Sequence, residues 1–321
     1  MSRSGTAPLS EHFSLEQIAA GVYAAMASDL GGAYSNAGIV DLGGATLIVD
    51  TFATPQAAQD LRVAAERLTG RPTRWVVNTH FHSDHWLGNQ VYAGATIIAT
   101  HRTRALMAAG SGHFRTFKEN PAEFEKEIQE DEKAAEAETD PVLRASLQRR
   151  VARGRQTLAA LSTLELRFPD LTFHGKLVFH GAARTVELVA PGRGHTAGDA
   201  YLALPAEGIV FTGDLCFFTS PPFMGSSDPP AWQARMEELE RSSFTTFVPG
   251  HGPLGTKKEV ALQRQYLVAV QEMVARAIQE GRSLEQALEQ PLPEGFAAWG
   301  DFVQWNRMNV EFLYRRLEGT K

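Results

Sequence analysis

The run Asn78-Thr79-His80-Phe81-His82-Ser83-Asp84-His85 puts four side chains of metal-ligand type within six residues. Imidazole and carboxylate are the donors that borderline cations such as zinc accept. In an extended chain side chains alternate with period two, so His80, His82 and Asp84 point one way, and a tightening turn then brings His85 to an adjacent place. Three more pieces follow: Gly194-His195-Thr196, Thr212-Gly213-Asp214 and Pro249-Gly250-His251-Gly252. Each falls just past the end of an apolar strand and is flanked by glycine, where a loop can come close to a cation. His12, His101, His113, His174 and His180 lack such flanks and read as surface or core residues. Asp50, at a strand end before Thr51, is a candidate to hold the second N–H of a ligand histidine, with a turn-forming role as the plainer alternative.

The rest of the chain has to carry these pieces. Its 321 residues (35.1 kDa) are 43% hydrophobic and 21% charged, as in ordinary globular proteins. A net charge of −6 argues against a dedicated nucleic-acid binder. A single cysteine, Cys216, excludes an intrachain disulfide and a thiolate-built zinc site. No run of 18 apolar residues predicts a membrane span. Ile18–Ala27 is apolar, but it follows Glu11 and Glu16 and reads as a first strand, not a signal peptide; the location expected is cytoplasmic.

Residues 1–17 read as a loose start with a short helical turn at Ser14. Strands are expected at 22–26, 37–42, 45–50, 74–78 and 96–99, with a helix after Thr54-Pro55 that stops at Gly70. Trp75-Val76-Val77 would hold the histidine motif rigidly. Residues 103–166 read as helical: 118–140 carries ten acidic and three basic residues, and 144–155 carries five arginines and no acid. Two helices of opposite charge folding on each other are expected after the break at Asp140-Pro141, as a solvated ion-paired arm or as a lid or dimer arm. Leu143, Leu147, Val151, Leu158 and Leu161 form one stripe. Strands return at 176–180, 184–189, 199–204, 208–212 and 245–248. A capping box at Thr256–Glu259 opens a long helix to Gly281, and shorter helices follow from Ser283 and near 311–317.

From about Gly21 to Gly255 the motifs resemble those of the metallo-β-lactamase-fold hydrolases, with a ligand set similar to the glyoxalase II-like members. The resemblance implies an α/β, four-layer αβ/βα sandwich. A single domain over 1–321 is expected, with 103–166 as a helical insertion and 256–321 as a C-terminal helical extension, both outside the core that the resemblance covers. It implies two divalent metal ions, Zn2+ first, with Mn2+ or Fe as alternatives. His80, His82 and His195 would hold one, and Asp84, His85 and His251 the other. Asp214 would bridge them, and Asp84 and Asp214 would serve catalysis. A hydroxide shared by the metals would attack a small ester, thioester or lactone. The alternatives are a mononuclear iron persulfide-type oxidoreductase, a β-lactamase and a nuclease.

Three finer expectations follow. Ser28–Asn36 forms a mobile flap over the site. Cys216 packs in the core or behind the ligands and binds no metal. Phe217, Phe218, Phe223 and Met224 make an apolar wall for an acyl or aryl group. Many resembling lactamases have a lysine three residues after their ligand cysteine; Phe217 stands there, so β-lactams are expected to be poor substrates.

Overall fold

The computed structural model describes residues 10–290, 295–296, 299 and 302–319. Its first sheet holds β1 (Phe13–Ala19), β2 (Val22–Ala27), β3 (Ala37–Asp41) and β4 (Thr46–Val49), then, after helix α1 (Pro55–Thr69), β5 (Thr73–Val77) and β6 (Thr96–Thr100). Helices α2 (His101–Glu119), α3 (Pro121–Ala137) and α4 (Pro141–Leu161) intervene before β7 (Leu171–Phe173) completes it. The strands lie in sequence order, antiparallel from β1 to β4 and parallel from β4 to β7. The second sheet holds β8 (Lys176–His180), β9 (Thr185–Val189), β10 (Tyr201–Leu204), β11 (Ile209–Phe217) and, after α5 (Pro229–Arg241), β12 (Thr246–His251). Its order is β12-β11-β10-β9-β8, with only β11 and β12 parallel. Helices α6 (Lys257–Gln279), α7 (Leu284–Leu288) and α8 (Phe302–Glu318) follow.

Alternation along the strands explains the layers. In β4, Leu47 and Val49 pack against the second sheet with Phe211 and Val248, whereas Ile48 packs outward with Leu61 of α1. In β11, Ile209 and Phe211 face the first sheet, and Val210 packs with Trp232 of α5 and Val270 of α6. Strands covered on both faces read as continuous apolar runs. The result is the expected αβ/βα sandwich. Thr54 caps α1 by accepting from the Ala57 amide, Pro55 stands at its first position, and Gly70 closes it in a left-handed conformation (φ 67°). Thr256 and Glu259 form the reciprocal box that opens α6.

Several expectations are corrected. Ser14 lies in β1, not in a helical turn, because Phe13 and Leu15 alternate toward the same outer core; residues 1–9 of the expected loose start lie outside the described residues. Ile18–Ala27 is not one strand: it turns at Gly21 (φ 70°) between β1 and β2. The helical segment has three helices, broken also at Asn120-Pro121, where proline takes the first position of α3. The acidic α3 and basic α4 do pair as expected: Arg155 bonds Glu125 and Glu132, and Arg150 bonds Asp131. Of the stripe on α4, only Leu161 is fully buried; Leu143, Leu147 and Val151 are half-buried. The short β7 and α5 were not expected from the sequence; Asp228 caps α5 by accepting from the Ala231 amide, with Pro229 at its first position. Asp214 does not follow β11 but lies within it. The strand bulges at Gly213 (φ 51°), where a side chain would strike Thr79, and then continues to Phe217.

Gly38 of β3 packs under the Phe211 ring of the second sheet, where an added Cβ would stand 2.4 Å from the ring. Gly38→Ala is expected to destabilise the protein by about 1–3 kcal/mol through overpacking, read as a lower denaturation midpoint with an unchanged denaturant slope.

Candidate metal centre

The chain delivers its donors from four places at one edge of the sandwich. After β5 the chain is locked by Asn78, whose amide donates to the His85 carbonyl (3.2 Å) and to Asn89 Oδ1 (3.1 Å), while Asn89 donates back (2.9 Å). Ser83–His85 then winds into a 3₁₀ turn. This corrects the extended reading: His80 and His82 stay together, but the turn swings Asp84 away from them and groups it with His85.

Two donor groups result, each with its atoms within 4.8 Å of one another: His80, His82, His195 and Asp214, and Asp84, His85 and His251. His195 Nε2 lies 2.9 Å from His82 Nδ1 and 3.3 Å from Asp214 Oδ2. His251 Nε2 lies 3.3 Å from Asp84 Oδ2, and His85 Nε2 is 3.6 Å from the same oxygen. Asp214 reaches both groups. Its Oδ1 is 3.0 Å from His85 Nε2, and its Oδ2 is 3.5 Å from His80 Nε2 and 3.4 Å from His251 Nε2. The carboxylate fits because residue 250 is glycine: a Cβ there would stand 1.8 Å from Asp214 Oδ1.

Behind the donors lies a hydrogen-bonded ring centred on Asp50. It accepts from the Thr79 amide (2.8 Å), the Thr79 hydroxyl (2.8 Å) and His85 Nδ1 (2.7 Å), which turns His85 Nε2 toward Asp214. With the Thr79 hydroxyl given to Asp50, its oxygen is free to accept from His80 Nδ1 (3.0 Å), leaving His80 Nε2 as a lone-pair donor. Asp50 adopts a left-handed backbone (φ 59°), uncommon outside glycine and compatible with aspartate. Its candidate role as a support for a ligand histidine therefore has its geometry. Ser226 supports His82 through Nε2 (3.2 Å).

Electrostatics divides the imidazoles. Burial pulls His80 down to about 4, and burial with His195 and His80 alongside keeps His82 well below its ordinary value. Burial also opposes charge on His85 and His251, but Asp214 and Asp84 outweigh it, raising His85 well above its ordinary value and His251 to about 9. Burial would raise both carboxylates; His85 leads the group of histidines that lowers them instead. This point in the fold calls for positive charge, from protons or from cations.

The donor atoms fit cations. His80 Nε2, His85 Nε2, His195 Nδ1 and Asp214 Oδ1 are buried without a hydrogen-bond partner among the described residues. His85 Nε2 and Asp214 Oδ1 meet at 3.0 Å as a charge contact that lacks hydrogen-bond geometry. Such atoms are costly to bury unless something coordinates them. Cys216 stands outside both groups, in the core beside α6, with burial pushing its thiol up to about 12. His12 accepts from the Gly32 amide, and His101 packs on His174 at 5.6 Å, away from the donors; the His113 side chain lies outside the described residues.

A cavity of about 790 Å³ opens over the donors. Phe217 and Phe223 wall it, with Phe217 stacked on His251 at 4.8 Å and Phe223 set edge-on to His82 at 5.6 Å. Met224, expected in this wall, is fully buried in the core beneath it. Trp305 of α8 takes its place, 5.6 Å from Phe223; no period or motif marked it in the sequence. Asn309 of α8 fixes the wall by bonding the Met224 amide and the Pro222 carbonyl. Ser28, Tyr34 and Asn36 border the cavity as expected, but the loop is not a free flap. Asn36 donates to the Pro249 and Gly252 carbonyls (3.0 and 2.8 Å), Ser35 to the Asp84 carbonyl (2.6 Å), and Tyr34 to the Arg153 carbonyl. Arg153 brings α4 to the cavity rim, so the helical insertion, not the loop alone, covers this side.

Solved structures share this fold. The metallo-β-lactamase from Pontibacter korlensis aligns with a TM-score of 0.57 at 18% identity, covering 80% of this chain and 99% of that one. The metallo-β-lactamase FIM-1 from Pseudomonas aeruginosa, in its mono-zinc form, aligns at 0.56 with 17% identity, covering 81% and 97%. The metallo-β-lactamase from Hirschia baltica aligns at 0.56 with 14% identity, covering 80% and 98%. No curated protein sequence matches the chain. The metallo-β-lactamase superfamily family model matches residues 30–251, from the loop bordering the cleft to the last donor histidine. On that match, and with the sandwich that carries it, the chain belongs to the metallo-β-lactamase superfamily and has the fold of its metal-dependent hydrolases.

Proposed function

We propose that this protein is a hydrolase that works with two divalent cations on a small ester, thioester or lactone. The observation that carries the reading is Asp214: one buried carboxylate within 3.0–3.5 Å of histidines from both donor groups. His80, His82 and His195 would hold one cation, Asp84, His85 and His251 the second, with Asp214 between them. Imidazole and carboxylate donors with no thiolate suit zinc. Bound there, the cations would supply Lewis acidity and lower the pKa of a water toward neutrality.

The chain's own residues do the rest. Asp50 and Thr79 fix the ring faces of His85 and His80, so the donors need no reorganisation. Asp84, partly open to the cleft, has the carboxylate placed to accept a hydrogen bond from the attacking water and orient it. Phe217, Phe223 and Trp305 would take an acyl or aryl group and exclude water from it.

Metal analysis and a substrate panel test this reading. His82→Ala and His251→Ala are each expected to abolish hydrolysis and to lower metal content, since they belong to different groups. Asp214→Ala should lose both cations; two full equivalents in that variant would overturn the bridging assignment. Asp50→Asn keeps every donor but weakens the support of His85, so metal affinity or activity should fall about 10–100-fold. Cys216→Ser should leave metal content unchanged. Among thioester, lactone, phosphodiester and cephalosporin substrates, the cephalosporin is expected to be turned over poorly, because the aromatic at 217, stacked on His251, cannot bind a carboxylate held beside the donor groups as a cation at that position would. A cephalosporin kcat/KM of about 10⁴–10⁸ M⁻¹s⁻¹ with inert thioesters and lactones would refute the substrate class.

A further inference from the structure

The cavity has one polar feature that the hydrolytic site leaves unused. Among the described residues that border it, Arg153 of α4 is the only lysine or arginine. Its guanidinium has no ion pair or hydrogen bond among the described residues, and its Nε is buried without a partner. Glu16 and Asp29 border the same cavity, and neither pairs with it. The other arginines of this helix behave differently: Arg150 and Arg155 are spent on the carboxylates of α3.

The position of Arg153 is built, not incidental. Gly154, the next residue, packs α4 on Ile128 of α3, where a Cβ would stand 2.9 Å away. One residue is about 100° around a helix, so the contact that docks α4 on α3 turns position 153 aside from it. The guanidinium lies 5.5 Å from the centre of the Tyr34 ring. Tyr34 in turn donates its hydroxyl to the Arg153 carbonyl, and Gln156, one turn on, donates to the Leu30 carbonyl. Tyr34 adopts φ 69°, a left-handed conformation that is strained for an aromatic residue. Loop and helix are thus clamped together around a cation that rests on the Tyr34 ring and has no ion pair or hydrogen bond among the described residues.

We propose that Arg153 determines substrate specificity by binding a carboxylate at the end of the substrate remote from the scissile bond. An unpaired guanidinium at the rim of a partly apolar cavity favours a ligand with an anionic tail, an apolar middle along Phe223 and Trp305, and the reacting carbonyl at the donor groups. The planar fork of the guanidinium matches a carboxylate through two parallel bonds. This reading rests on the hydrolase proposal for the reacting end, but binding tests it without turnover.

Calorimetry on the metal-loaded protein, with adipate and hexanoate as probes, separates the two. The acids differ by one terminal carboxylate. Adipate is expected to bind wild type at least about tenfold more tightly than hexanoate, as a charged hydrogen bond to an otherwise unpaired cation warrants. In Arg153→Gln that preference should vanish while hexanoate affinity stays within about twofold, and Arg153→Lys should restore part of it. With ester substrates, the same loss should appear in KM for 4-nitrophenyl hydrogen adipate and not for 4-nitrophenyl hexanoate. Adipate binding no tighter than hexanoate in wild type, or a preference unchanged by Arg153→Gln, overturns the proposal. Absence of ester turnover with the binding preference intact would instead count against the hydrolase reading alone.

Discussion

The centre of this molecule depends on keeping the Asp214 carboxylate ionised inside protein. A buried carboxylate is stable only if positive charge or several hydrogen-bond donors surround it. Four histidines converge on this one, from the loop after β5, the loop after β9 and the end of β12. Much local structure follows from that requirement. Position 250 has to lack a side chain, β11 has to bulge at Gly213 to come past Thr79, and the segment after β5 has to turn so that His85 faces inward. The sandwich brings strand ends from two sheets to a common edge, so residues far apart in sequence can meet there.

Around that centre the chain fixes imidazole orientation rather than leaving it to the cations. Asp50 uses both carboxylate oxygens on Thr79 and His85, and Thr79 passes the constraint to His80. The strained backbone at Asp50 is held by these bonds and by its amide on the Val77 carbonyl (2.8 Å). Strain over-determined in this way belongs to sites where a precise ring direction matters more than local comfort of the chain. Tyr34, which borders the cavity, also has a left-handed backbone and is held by its hydroxyl on the Arg153 carbonyl.

How much of this was legible in the sequence follows the range of the interactions. His80, His82, Asp84 and His85 announce themselves because their spacing is local, and glycine beside His195, Asp214 and His251 marks the close approaches that their pairing needs. The helix caps at Thr54, Ser283 and Thr256 were readable for the same reason. Strand ends were less so: β11 was expected to stop at Thr212, since Gly213 looks like a terminator, yet its partner β12 carries the ladder past the bulge. Met224 and Trp305 show the limit. Whether an apolar residue faces a cavity or the core behind it depends on Asn309, more than eighty residues from the segment it pins.

The donor end of the cleft and its outer end differ in kind. The donors sit on strands and tight turns of the two sheets, where backbone pairing leaves little freedom. The outer walls come from the helices between β6 and β7 and from α8, joined to the sandwich by side-chain contacts such as Tyr34 with Arg153 and Asn309 with Pro222. The donor groups are thus carried by the sheets and the turns that leave them, and the outer cavity border by α4 and α8. At that border α8 supplies an aromatic ring, Trp305, and α4 a guanidinium, Arg153, that has no ion pair or hydrogen bond among the described residues, so the cavity offers an apolar surface and a cation outside the donor groups.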